Sequence, residues 1–206
     1  VGKIIANHLG KNIKEYHGIE FNKSAIIQAK KNVDFFLEAD IENLESGYFK
    51  ENYFDIIMFN DVLEHLVYPE LTLKNFLTYL KPDGYLILSI PNVLHQTVIL
   101  NMLLNGRWTD QGVAVKEHLH FFTFYEIQEL LESLNLFING DIIGVSTDTD
   151  PVMAAILKAV KPWTNFPYRQ ALQQSSIYQF VLKACRIKST NELKFIQVPN
   201  VMNLIS

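Results

Sequence analysis

The sequence predicts an α/β, Rossmann-like fold: a mostly parallel sheet with helices on both faces and an antiparallel strand pair near the C-terminus. Three observations carry this. Between residues 16 and 91, short apolar runs alternate with helical stretches, the pattern of a parallel sheet with crossover helices. The central run, Phe54, Ile56, Ile57, Met58 and Phe59, is continuous rather than alternating, which suits a strand covered on both faces. Three such runs end on polar residues, at Glu20, Asp40 and Asn60-Asp61, and polar groups at strand tips mark where open α/β sheets place their sites.

Taken in order, residues 3–9 read as a helix closed by Gly10. Neither Met nor a cap precedes Val1, so the natural N-terminus is expected upstream. Residues 16–20 form a strand. Asn22 caps a helix over 23–31, with Ala25, Ile26 and Ala29 on its apolar face. Residues 35–39 are the next strand, and a helix or loop through Leu44 and Phe49 leads to the central one. Asn60 and Asp61 are expected to cap a helix starting there, which sets Asp61, Glu64 and His65 at i, i+3 and i+4 on one face. Pro69 suits the first turn of a helix running to Leu80. Residues 81–84 (KPDG) read as a turn, Gly84 allowing a positive φ. Residues 85–90 are a buried strand stopped by Pro91.

Beyond Pro91 the pattern loosens. Residues 95–104 look helical and apolar on one side, and Arg107, Trp108 and Gly112 sit in a loop. Thr123 and Glu126 have capping-box form, opening a helix to Leu134. Residues 136–145 are strand-like, 152–160 a short apolar helix, and 177–186 a last strand antiparallel to 136–145, with 193–198 as the competing candidate. The domain expectation is one unit over 1–187, with 92–122 and 147–176 as insertions or a lid, and 188–206 as a tail.

The chain has 206 residues, 49% of them hydrophobic, enough for a sizeable core. A net charge of −4 gives no basic signature for nucleic acid. Cys185 is alone, so no intramolecular disulfide forms, which favours a reducing compartment and a cytoplasmic location. No signal-peptide pattern opens the chain, and no apolar run is long enough for a transmembrane segment. The oligomeric state is not legible.

These residues resemble a class I S-adenosylmethionine-dependent methyltransferase over roughly 1–146, more faintly to 186. The acid-tipped segments YHGIE and FLEAD sit at the spacing of that family's cofactor motifs, and FNDVLEHL and KPDGYLILSIPN resemble its fourth and fifth strands. The segment PNVLHQ…LLNGRW…EHLHFFTFYEIQELLESLNL resembles a branch found near ubiquinone-type O-methyltransferases and in polysaccharide or O-antigen gene clusters. Glu117 stands where that branch has Thr, and His120 where it has Arg. The family's first strand and glycine-rich loop are missing from the sequence, and the usual spacing puts the last glycine immediately before Val1.

The resemblance implies a role for each tip. Glu20 would accept both ribose hydroxyls of the cofactor, with Phe21 near the adenine. Asp40 would accept from the adenine amino group, with Ile41 packing on the ring. Asn60 and Asp61 would lie by the methionine end. The bland alternatives are a solvated acid at Glu20, a helix cap at Asp40 and plain N-capping at Asn60 and Asp61. Asp61, Glu64 and His65 form a possible ligand set for a divalent metal, which is not expected to be required; His65 is otherwise a candidate general base, or Glu64 and His65 simply stabilise the helix start. His118 matches the family His and is the second candidate base. His95 caps a helix or lines the acceptor pocket, His120 belongs to the surface, Trp108 is a lid or core residue, and His8 and His17 are uninvolved. The apolar stripe of 95–104 could be a lid or a shallow membrane contact, with burial against the sheet the expected state. The implied activity is methyl transfer from S-adenosylmethionine to a hydroxyl oxygen of a small molecule or a glycan or lipid-linked precursor. Two rivals stay open: a non-catalytic methyltransferase-like binding domain, and a nicotinamide-dependent Rossmann oxidoreductase.

Overall fold

The structure is a computed structural model that describes residues 13–31, 33–108, 111–191 and 193–199. The helix expected at 3–9, with His8 and Gly10, lies outside them. The chain divides into two compact units, 1–51 and 52–206.

In the first unit, β1 (His17–Glu20) and β2 (Phe35–Glu38) pair in parallel, with Glu20 opposite Glu38. They are joined by α1 (Lys23–Lys30). As expected, the Asn22 side chain caps α1 by accepting from the Ser24 N–H. Gly18 is a packing requirement, because a Cβ there would lie 2.9 Å from Val33 Cγ1. His17 stacks on Phe35 at 4.5 Å between ring centroids, a structural role. After β2, a 3-10 turn, Ile41–Asn43, takes the place of a longer helix.

The second unit is built on six strands: β3 (Phe54–Asn60), β4 (Leu80–Pro91), β5 (Phe137–Ile138), β6 (Ile142–Ser146), β7 (Ile177–Cys185) and β8 (Phe195–Pro199). They run in the order β3-β4-β7-β6-β8, with β5 also on β7. The β3–β4 and β6–β8 pairs are parallel, and β7 is antiparallel to β4, β5 and β6. The carboxyl ends of β3, β4, β6 and β8 therefore share one sheet edge with the amino end of β7. The helices are α2 (Pro69–Phe76), α3 (Gln96–Asn105), α4 (Phe124–Ser133), α5 (Pro151–Val160) and α6 (Tyr168–Ser176). Fully buried Leu73, Leu86, Leu88, Ile127, Leu131 and Phe180 form the core. The Thr123–Glu126 capping box is formed as predicted.

Several expectations change. No helix starts at Asn60. The Asp61 N–H stays with the sheet, donating to the Ser89 carbonyl at 3.0 Å, and the helical turn that follows is only a 3-10 turn, Leu63–His65, capped without a side chain. α2 ends at Phe76, because Leu80 already pairs with Phe54. Residues 81–84 are not a free turn but a bulge inside β4, where the register jumps from Phe54 opposite Leu80 to Ile56 opposite Tyr85. Gly84 is needed there for space rather than for a positive φ: a Cβ would lie 2.9 Å from the Asp55 carbonyl oxygen. The strand expected over 136–145 breaks into β5 and β6 at Gly140, φ +91°. The expected tail contains β8, whose Phe195 packs on Phe124 at 4.9 Å; both candidate C-terminal strands exist. The apolar stripe of α3 is only partly buried. Val98 is buried with Val113 and Ala114 and packs on Tyr178 of β7, Ile99 and Leu100 are half-buried, and Leu103 and Leu104 are 60% and 63% exposed. Among the described residues no helix is long and apolar enough to cross a membrane.

Candidate active site

In the first unit, Glu20 and Asp40 follow adjacent parallel strands at their carboxyl ends. Glu20 Oε1 accepts from the Asn22 N–H at 2.8 Å. Both Asp40 oxygens serve its own turn, accepting from the Glu42 N–H at 3.0 Å and Asn43 Nδ2 at 2.7 Å, so Asp40 is a cap whatever else it binds. Phe21 is 67% exposed beside Glu20, and Ile41 is half-buried.

In the second unit, β3 ends on Asn60 and the chain turns through Asp61 at φ +52°. Asp tolerates this left-handed conformation better than most residues. The Asp61 carboxylate accepts from Gln179 Nε2, which also donates to Ser89 Oγ at 2.6 Å. One amide thus uses both hydrogens to hold the tip of β3 against β4. Partial burial raises the Asp61 pKa, and His118 and His65 facing it pull the other way.

The 3-10 turn after Asp61 brings Glu64 and His65 to His118. The loop carrying His118 docks on the turn, the Leu119 and His120 N–H groups donating to the Glu64 carbonyl at 2.7 and 3.0 Å. The His65 and His118 rings meet edge to face at 4.7 Å. His65 Nδ1 lies 3.0 Å from the Glu117 carbonyl oxygen, and His118 Nδ1 lies 2.8 Å from that of Val113. A carbonyl only accepts, so each Nδ1 carries a hydrogen, and in its neutral form each ring has its lone pair on Nε2. Burial lowers the His118 pKa, which favours that neutral form.

Glu64 is 1% exposed, and neither carboxylate oxygen has a hydrogen-bond partner. Burial pushes its pKa up to about 8, against a smaller pull from its own backbone amide. Glu64, His65 and His118 each offer one ligand atom, all within 4.8 Å of one another. One carboxylate and two imidazoles suit zinc better than magnesium. The grouping differs from the expected Asp61, Glu64 and His65: with no helix at Asn60 the i, i+3, i+4 face does not exist, and Asp61 is turned to Gln179.

Four residues hold this edge, Asn92, Gln179, Ser89 and His95, and the sequence singled out only His95. Asn92 is fully buried; its Nδ2 donates to the carbonyls of Gln174 and Ile177, both at 2.8 Å, and its Oδ1 accepts from the Leu94 N–H. Gln179 and Ser89 are polar residues that interrupt the apolar stretches 177–182 of β7 and 85–91 of β4, and that interruption was the available signal for the Asp61 clamp. His95 caps α3, accepting from the Thr97 N–H. It is 1% exposed, with its pKa lowered to about 4 by burial, so it is a neutral structural residue. His120 stacks on Phe122 at 6.0 Å. Trp108, half-exposed, donates from Nε1 to the Ala114 carbonyl and meets Phe121 edge-on at 4.8 Å.

A family model described as a methyltransferase domain matches residues 1–138. No curated protein matches the sequence. Among solved structures, a SAM-dependent methyltransferase from Thermotoga maritima, described as a possible histamine N-methyltransferase, superposes with a TM-score of 0.54 at 16% identity, over 84% of this chain and 73% of its own. A SAM-dependent methyltransferase from Archaeoglobus fulgidus does so with 0.53 at 14% identity, over 82% and 74%. A protein from Bacillus halodurans described as a methyltransferase gives 0.54 at 14%, over 90% and 88%. At such identities the likeness shows the fold, the Rossmann-like methyltransferase fold expected from the sequence. The family match spans more than half of the sequence, and the chain belongs to the methyltransferase-domain family.

Proposed function

We propose that this methyltransferase uses S-adenosylmethionine to methylate a hydroxyl oxygen of a small molecule or of a glycan or lipid-linked precursor, in the manner of the ubiquinone-type and O-antigen-cluster branch. When bound, the donor supplies a methyl group on a sulfonium, an electrophile with a good leaving group. Glu20, with one carboxylate oxygen outside the Asn22 bond, suits the ribose hydroxyls. Phe21 and Ile41 suit the adenine faces, and Asp40 its amino group through the lone pairs its turn leaves over. The resemblance assigns the methionine end to Asn60 and Asp61. The remaining task is to align the acceptor oxygen with the methyl group and to take its proton.

One observation carries the preference for oxygen: both His65 and His118 hold Nδ1–H on a backbone carbonyl and so present a basic Nε2. A hydroxyl must lose its proton as it is methylated, and a positioned imidazole can take it; a neutral amine attacks without that help. The test supplies methyl-labelled S-adenosylmethionine with a pool of glycosides and phenols in one vessel and a pool of primary amines in another. Label in O-methyl products supports the reading, and label confined to N-methyl products contradicts it.

A further inference from the structure

Along the same sheet edge, past the tip of β6, lies an open cleft of about 870 Å³. Asp148, Thr149, Arg169, Gln170, Gln173 and Gln197 line it. We infer that this cleft is a subsite for a neutral, polyhydroxylated part of the methyl acceptor, a glycosyl unit. The inference rests on the methyl-transfer reading above and adds where the non-reacting part of the acceptor sits.

The walls are already braced by polar contacts. Gln197 Nε2 donates to Ser176 Oγ at 2.9 Å, and Gln170 Nε2 to the Tyr125 hydroxyl at 2.9 Å. Thr147 Oγ1 lies 2.9 Å from His95 Nε2 and accepts from Gln96 Nε2 at 3.1 Å; the same Gln96 nitrogen reaches the Asp148 carbonyl at 2.6 Å. These bonds fix the amides and leave the carbonyl oxygens of Gln170 and Gln197 for a ligand. Asp148 and Arg169 form no ion pair among the described residues, so one negative and one positive group face the cleft and offset each other. A phosphate would meet a single cation opposed by a carboxylate, and an ammonium the reverse. Vicinal hydroxyls, which both donate and accept, match this mixture of amide oxygens, carboxylate, guanidinium and Thr149 hydroxyl. Leu172 and Pro167 also line the cleft and give the C–H face of a ring an apolar surface.

The position suits an acceptor rather than an unrelated ligand. The strand that leads to His65 is β3, and β4 and β7 lie between it and β6, so the two tips stand about 15 Å apart. The partition is continuous: Thr147 holds His95, whose ring meets Tyr178 edge-on at 5.3 Å, and the Tyr178 hydroxyl faces Gly112 at the start of the loop that carries His118. An acceptor of several linked rings would place one ring in the cleft and another at the imidazoles.

The test is an NMR titration of the full chain with neutral methyl glycosides of several hexoses, with inorganic phosphate and spermidine as charged comparators. Calorimetry with S-adenosylhomocysteine forms a separate arm. The expected result is that at least one glycoside shifts the side-chain amide signals of Gln173 and Gln197. Arg169→Ala and Gln173→Ala should each weaken that binding about five-fold or more, the size of one lost hydrogen bond, with unchanged urea midpoints and unchanged S-adenosylhomocysteine affinity. Silence from every glycoside, a stronger response to phosphate or spermidine, or full glycoside affinity in both variants overturns the subsite. S-adenosylhomocysteine binding without glycoside binding removes the subsite alone; glycoside binding without S-adenosylhomocysteine binding removes the methyl-transfer reading instead.

Discussion

Replacing Glu64 by Gln tests the electrostatics of the site most sharply. Glu64 is 1% exposed with both oxygens unpartnered, and burial raises its pKa from 4.5 to about 8. In the unfolded chain the carboxyl group returns to its ordinary value. Between the two values the folded protein binds more protons than the unfolded one, so this group makes stability fall as pH rises, beginning near 4.5 and levelling off above 8. A shift of about 3.5 units at about 1.4 kcal/mol each amounts to about 5 kcal/mol in full, of which about 2 to 3 kcal/mol develops between pH 5 and 7. The assay is urea unfolding of wild type and Glu64→Gln in chelator at several values from pH 5 to 8. Other titrating groups are common to both proteins, so their difference isolates Glu64. The two should be similar near pH 5 and diverge steadily, with the variant more stable at pH 8. Parallel stability curves across this range would refute the argument that the Glu64 carboxyl is buried without a partner.

Asn92→Leu keeps the side-chain volume but strands the carbonyls of Gln174 and Ile177 and the Leu94 N–H; urea unfolding should show a loss of about 2–4 kcal/mol. Gly84→Ala should cost about 1–3 kcal/mol in the same assay, because the new Cβ meets the Asp55 backbone oxygen, which cannot rotate away. His118→Asn should lower kcat by about 10² or more while leaving S-adenosylhomocysteine affinity unchanged, if the imidazole takes the acceptor's proton. In the wild type the acidic limb of the rate profile should fall below the ordinary imidazole value of 6.5, since burial lowers the His118 pKa and keeps Nε2 unprotonated to lower pH.

What could be read in advance was local. Asn22 and the Thr123–Glu126 pair cap their helices because the acceptor and its target N–H lie within three residues. β3 was legible because its run is short, rich in β-branched and aromatic residues and closed by polar ones. Asp61 was misread for the opposite reason. A carboxylate after a strand can cap a helix, but Ser89 and Gln179, distant in sequence, take its amide and its side chain into the sheet. His65 and His118 were each singled out, yet their meeting depends on two N–H groups docking on the Glu64 carbonyl across some fifty residues, which spacing along the chain does not encode. The KPDG segment has the chemistry of a turn and becomes a bulge because Leu80 and Tyr85, on either side of it, both pair with β3. β8 was legible only as a rival to β7, because its partner, the open edge of β6, exists only once β7 is in place.

Glu20 at the tip of β1 is proposed to grip the adenosine of the methyl donor. Calorimetric titration of the protein with S-adenosylhomocysteine, beside Glu20→Ala, tests it directly. Saturable one-to-one binding is expected, weakening at least ten-fold in the variant as the two hydrogen bonds to the ribose are lost. Absence of binding at millimolar ligand, or equal affinity in the two proteins, would contradict it.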